Sequence, residues 1–122
     1  MNQLELNLDN YDATNNAGVY IDCEAIRLES AAKGWRGVPI AEIRVANTPH
    51  GYDWGVSLHL SNSGFCYMPN EKHITCRSFA SSRADAIKRA AQEILRRITG
   101  DVTFSSDKNA ATVRSWIDAV TA

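Results

Sequence analysis

Hydrophobic residues recur along this chain with two periods, and the periods divide it into elements. From Ser82 to Ile98, the residues Ala86, Ile87, Ala90, Ala91, Ile94, Leu95 and Ile98 fall at helical spacing, which lays one broad apolar face along a helix. Ser82 stands where an N-cap belongs, Asp85 three residues on makes a capping-box variant, and Gly100 stops the helix. Trp54, Val56, Leu58 and Leu60 alternate with Gly55, Ser57, His59 and Ser61, predicting a strand with one buried and one more polar face. Before it, Ala41, Ile43 and Val45 alternate with Glu42, Arg44 and Asn47, and the strand runs into a turn at Thr48-Pro49-His50-Gly51.

Weaker signals complete the chain. Asn62-Ser63-Gly64 predicts a hairpin turn into a strand over Phe65 to Met68. A loop over Pro69 to Lys72 then leads to a further extended stretch, His73 to Phe79. Upstream, Ile21, Ala25, Leu28, Ala32 and Trp35 recur at steps of four and three behind Asp22, predicting a first helix from about Cys23 to Lys33, ended by Gly34. A connector from Asp101 to Ser105 precedes a last helix capped by Ser106, over 106–121, whose apolar positions are Ala110, Val113, Trp116, Ile117 and Val120. Residues 1–18, with Leu4, Leu6 and Leu8 before a polar run, read as a short edge strand or an arm. The order α-β-β-β(-β)-α-α predicts a single α+β domain over 1–122, an antiparallel sheet with helices mainly on one face. No repeat or long linker divides it.

With 122 residues and 44% apolar content, the chain can bury a core without metals or disulfides. Cys23, Cys66 and Cys76 are odd in number and form no C-x-x-C pair, which argues against a disulfide framework and fits a reducing cytoplasm. No leader-like N-terminus appears, and no segment approaches the roughly 20 apolar residues of a membrane span. The net charge of −1 is unevenly spread. Residues 1–30 hold Glu5, Asp9, Asp12, Asp22, Glu24 and Glu29 against Arg27 alone. Residues 71–97 hold Lys72, Arg77, Arg83, Lys88, Arg89, Arg96 and Arg97 against Glu71, Asp85 and Glu93. An acidic first face and a basic second face suit self-association or a charged partner.

Catalytic candidates are the three cysteines with His50, His59 or His73, but no signature of a nucleophile elbow, zinc helix or phosphate loop frames them. Cys66 and Cys76 read as small buried hydrophobes of strands, and His50 and His59 as solvated residues. A metal site at Cys66, Cys76 and His73 lacks a fourth ligand. The expectation is therefore no catalytic residue, no metal and no cofactor. Tyr52 and Tyr67, with Tyr11 and Tyr20, fall in or beside turns, where exposed aromatics serve as anchors for protein partners.

Thr48-Pro49-His50 followed by Trp54, and Ser82-Arg83-Ala84-Asp85-Ala86, resemble the loop and second-helix start of the double-stranded-RNA-binding domain over roughly Asp22 to Ile98. That resemblance implies contacts to duplex phosphates from the second helix. Here Ala84 and Ile87 stand at two of three expected lysine positions, and the acids Glu24 and Glu29 lie in the first predicted helix. The stretches Asn16 to Asp22, Ala31 to Gly37 and Ile40 to Val45 resemble small accessory proteins of proteobacterial plasmids and prophages. Such proteins include inhibitors of host defence, anti-CRISPR proteins among them, which act by contact. The expected function is a non-catalytic, cytoplasmic binding protein of a mobile genetic element. It would meet a protein or nucleoprotein partner, or a second copy of itself, through Arg83, Lys88, Arg89, Arg96, Arg97, Tyr52, Tyr67 and His50. The alternative is a divergent nucleic-acid-binding module using the basic face of the same helix.

Overall fold

The longest apolar stripe in the sequence does form the helix that closes the core. In a computed structural model, which describes residues 11–29, 39–60 and 64–122 apart from the side chains of Val102 and Thr103, helix α1 spans Arg83–Gly100. The Ser82 hydroxyl accepts from the Asp85 backbone N–H at 3.1 Å, satisfying one of the orphan donors of the first turn. Ala86, Ile87, Ala90, Ala91, Ile94 and Ile98 are buried beneath it. The alanines let the helix axis approach the sheet closely, while Ile94 and Ile98 fill the space beyond them.

The sheet under α1 is an antiparallel meander. Its strands are β1 (Glu24–Leu28), β2 (Ala41–Thr48), β3 (Gly51–His59) and β4 (Gly64–Tyr67), hydrogen-bonded in that order. Register places Ile26 opposite Ile43, Ile43 opposite Val56, and Val56 opposite Tyr67, so these side chains share the face that α1 covers. Val45 lies opposite Trp54 and Leu58 opposite Phe65 on the same face. The β2–β3 turn is tight. Gly51 has φ +120, and a Cβ there would stand 2.7 Å from the Ala80 carbonyl oxygen. Tyr52 exchanges backbone hydrogen bonds with Ala80, which brings the chain to the start of α1.

After α1, one four-residue helical turn, Val102–Ser105, seats Phe104 against Phe65, with ring centroids 5.9 Å apart. Helix α2 (Ala110–Val120) then adds Ala110, Val113 and Ile117 to the core that holds Ile43, Leu58 and Ile94. The architecture is thus α+β: among the described residues, a four-stranded antiparallel sheet with α1 and α2 packed on one face. Among the described residues no helix is long and apolar enough to cross a membrane.

Four expectations fail locally. Glu24–Leu28 is a strand, where the sequence predicts a helix over Cys23 to Lys33; residues 30–38 lie outside the described residues. Ala25 and Leu28 fit helical spacing, but Ile26 and Leu28 also fit alternation, and pairing with β2 decides for the strand. Among the described residues the order is therefore β-β-β-β-α-α, with a strand at Glu24–Leu28 where the likeness to the double-stranded-RNA-binding domain implies part of a helix. His73 to Phe79 is not extended: Glu71–Thr75 is a 3-10 helix whose cap, Asn70, accepts from the Lys72 N–H at 2.9 Å. The last helix starts at Ala110 behind Asn109, not behind Ser106. Cys66 and Cys76 are exposed, because Cys66 points to the helix-free face and Cys76 follows the 3-10 helix. Of the expected hairpin turn, residues 61–63 lie outside the described residues and Gly64 opens β4; residues 1–10 of the expected arm also lie outside.

Ile94 has no exposed surface, so Ile94→Ala should cost about 2–5 kcal/mol from lost transfer energy and the cavity left behind. Gln92→Ala, on the exposed side of the same helix, should change stability by about 0.5 kcal/mol or less. Urea denaturation of the two variants measures the contrast, and equal losses would mean that α1 is not the lid of the core.

Candidate functional site

Every strand also has a second face, away from the helices, and there the polar positions of the alternation gather. Arg27 lies opposite Glu42, Glu42 opposite Ser57, and Ser57 opposite Cys66, so one row of polar side chains crosses all four strands. A second row joins Ala25, Arg44 and Gly55; a third joins Ala46 to Asp53. The two ends of this face are treated differently.

One end is covered. Pro69 crosses Gly55, where a Cβ would stand 2.4 Å from the Tyr67 carbonyl oxygen and 2.8 Å from Pro69, so only glycine permits the crossing. Tyr20 donates its backbone N–H to the Pro69 carbonyl, Glu71 donates to that of Gly18, and Val19 bridges Asn70, which makes a two-segment strap over β3. Asp12 ties the strap's approach to β2: its carboxylate accepts from the Asn47 N–H at 2.7 Å, and its own N–H donates to the Asn47 carbonyl at 2.8 Å.

Beneath the strap lies Asp53, fully buried. Its Oδ2 accepts from the Asn70 N–H at 2.9 Å and lies 2.7 Å from His73 Nδ1, while Oδ1 accepts from Arg77 at 2.6 Å. The Arg77 guanidinium also donates to the Trp54 carbonyl and sits 3.9 Å from the centroid of the Trp54 ring, a cation over an aromatic face. A buried carboxylate tolerates desolvation only when its lone pairs are taken, and these are. Asp53 and His73 have the form of an oriented imidazole base, yet no serine, threonine or cysteine among the described residues hydrogen-bonds that ring. Burial pushes the Cys23 thiol up, against the pull of Arg44, and its sulfur donates to the Tyr20 carbonyl at 3.3 Å. That is a packed thiol rather than an activated one. Among the described residues no group of three or more His, Cys, Asp or Glu side chains is placed to hold a metal.

Among the described residues no segment crosses the other end of the face. Arg27, Glu29, Pro39, Glu42, Arg44, Ser57, His59, Cys66 and Met68 line a groove of about 420 Å³. At its floor Glu42, only 6% exposed, takes Arg27 Nε on Oε2 at 2.5 Å and Arg44 Nε on Oε1 at 2.6 Å. Burial pushes the Glu42 carboxyl up, but the two arginine hydrogen bonds outweigh it and hold the group below the usual carboxylate range. Arg44 is further fixed through Nη1, which donates to the Ile21 carbonyl at 3.1 Å.

The residues expected to meet a partner lie elsewhere, and most are already engaged. Arg83 forks Glu24 across to β1, with Nε to Oε1 at 2.7 Å, so one acid of the N-terminal part is paired with one base of the helix within the molecule. Arg89 pairs with Asp85 at 3.1 Å. Arg96 and Arg97 share Glu93 at 2.6 and 3.3 Å, which lowers the Glu93 pKa, and Arg97 also lies 4.6 Å from the Phe65 centroid. Among the described residues Lys88 alone of these cations has no ionic partner. Tyr52 and Tyr67 are half-buried on the helix-bearing face, and Tyr20 is buried in the strap rather than displayed. His50 is exposed at the β2–β3 turn, edge-on to Phe79. The groove residues Arg27, Glu42 and Arg44 escape sequence reading because only the strand register brings them together. The alternation does place Glu42 and Arg44 on the polar side of β2 and Ser57 and His59 on that of β3, but not beside one another.

Because the folded Glu42 pKa is lowered, its stabilisation is complete above the ordinary glutamate range near about 4.3 and is lost as pH falls through the lower folded value. Wild-type stability in urea should therefore fall more steeply between about pH 5 and pH 3 than that of Glu42→Gln, and equal slopes would show that the clamp contributes nothing. Arg83→Ala, which removes an exposed pair, should cost about 1 kcal/mol or less. No family model, curated protein or solved structure matches the chain, so the reading of this site stands on its own geometry.

Proposed function

We propose that the protein is a non-catalytic binding protein that docks a partner protein on the face of its sheet opposite α1. The observation that carries this reading is the half-covered face. A strap built around Asp53 closes one end, while among the described residues a concave, polar groove is left at the other on paired strands. Sites carried on strands hold their side chains in place, so binding costs little ordering. The likeness of the stretches Asn16 to Asp22 and Ile40 to Val45 to plasmid and prophage accessory proteins extends the proposal to inhibition of a host defence protein by contact.

The nucleic-acid alternative has less support. A phosphate approaching Arg83, Arg89, Arg96 or Arg97 must compete with a carboxylate already in place, and Lys88 alone supplies one charge. Counterion release needs several cations along one track.

A photo-reactive benzoylphenylalanine placed at His59, in the groove, and separately at Lys88, on the outer face of α1, distinguishes the surfaces in the producing cell. The proposal expects a discrete heavier adduct from position 59 and none from position 88. An adduct from position 88 alone, or a nucleic-acid adduct there, contradicts it; an adduct of twice the chain mass from position 59 identifies the partner as a second copy.

A further inference from the structure

The sheet has two lateral strands, and their sequences treat the edges differently. An edge strand presents a row of unpaired backbone donors and acceptors, and proteins discourage other chains from pairing there with charged side chains. β1 carries Glu24 and Arg27, both exposed. β4 is Gly64-Phe65-Cys66-Tyr67 and carries no charge. Among the described residues β3 is its one strand partner, so its outer edge is unpaired. Phe65 and Tyr67 lie on the side that α1 covers, yet both are only half-buried, with no described strand beyond them. Cys66 is exposed on the opposite side.

We infer that the outer edge of β4 pairs antiparallel with β4 of a second copy about a two-fold axis, joining the two sheets edge to edge. Such an interface is isologous, one patch serving both copies, and an uncharged strand meets itself without repulsion. The pleat restricts the register. Residues directly opposite one another share a face, so the axis passes through a residue and not between two. An axis at Cys66 sets Phe65 against the second copy's Tyr67, and Tyr67 against the second copy's Phe65. An axis at Phe65 leaves Tyr67 beyond the strand. Cross-strand aromatic pairs stabilise a sheet, which selects the axis at Cys66. Few hydrogen bonds form across so short a strand, so the association is reversible. Cys66 also lines the groove of the proposed docking face, so the two grooves meet at the axis. The pairing itself stands on β4 and does not rest on that proposal.

Sedimentation equilibrium of the reduced full chain at physiological salt should show a reversible monomer–dimer equilibrium. Salt matters because Glu93, Arg96 and Arg97 leave one net positive charge beside Phe65 on each copy, which low salt does not screen. Cys66→Lys, at an exposed position, sets two like charges opposite one another and should weaken the dimer about fivefold or more. Cys66→Ser and Cys76→Lys should leave it unchanged. Opposite residues of an antiparallel pair have Cα atoms about 4.5–5.5 Å apart, within the span of a disulfide. Oxidation with copper phenanthroline should therefore give a disulfide-linked dimer that persists in Cys76→Ser and vanishes in Cys66→Ser. A chain that stays monomeric up to about 1 mM, a dimer that Cys66→Lys leaves as tight as before, or a linkage that forms through Cys76 instead overturns the inference. Each of these results leaves the docking face itself standing.

Discussion

Asp53 carries a charge into a place with no solvent, and the arrangement of the whole helix-free face follows from how that charge is satisfied. The two oxygens need donors, the strand on which Asp53 sits has none to spare, and three donors come from one stretch, the Asn70 N–H, the His73 ring and the Arg77 guanidinium. Supplying them requires the chain after β4 to turn back over Gly55, wind into a 3-10 helix, and leave toward Ala80 and the start of α1. Removing one partner of such a buried set costs on the order of 3–5 kcal/mol, more than any exposed ion pair of this molecule can supply.

The same constraint divides the face into two. Where the strap passes, Ala46 and Asp53 are sealed; past its edge, the alternation of β1, β2, β3 and β4 leaves a polar row with nothing described above it. Glu42 is the second buried carboxylate of this face, and its two arginines project from the sheet rather than from a separate segment. One carboxylate thus organises a cover and the other an opening. The ion pairs of α1 make a third arrangement, in which cations that read as a docking face are largely neutralised at home by Glu24, Asp85 and Glu93.

What the sequence makes legible is whatever repeats within one element. The cap at Ser82, the stripe from Ala86 to Ile98, and the alternation from Ala41 through Leu60 are local, and they specify α1, β2 and β3. β1 is misread because five residues satisfy both periods, and the tie is broken only by pairing Glu24 with Val45 through Leu28 with Ala41. Once that segment is taken as a helix, Arg27 cannot be seen to face Glu42, fifteen residues away. Asp53 is hidden for a related reason: between Tyr52 and Trp54 it looks like a solvated strand position, and its partners stand twenty and twenty-four residues downstream. The 3-10 helix had a signal of its own, Pro69-Asn70, in which asparagine offers a capping oxygen. The basic residues of α1 were legible as charges, but not their pairing across to β1.

The central claim is that the buried Asp53 carboxylate holds the strap over one half of the sheet and that the core beneath α1 does not depend on it. Amide hydrogen exchange of Asp53→Asn against the wild type tests this directly. The account predicts that protection is lost at the backbone N–H groups of Tyr20, Asn70, Glu71, His73 and Arg77, while β2, β3 and α1 keep theirs. Unchanged protection in the strap, or an equal loss across α1 and the central strands, would contradict it.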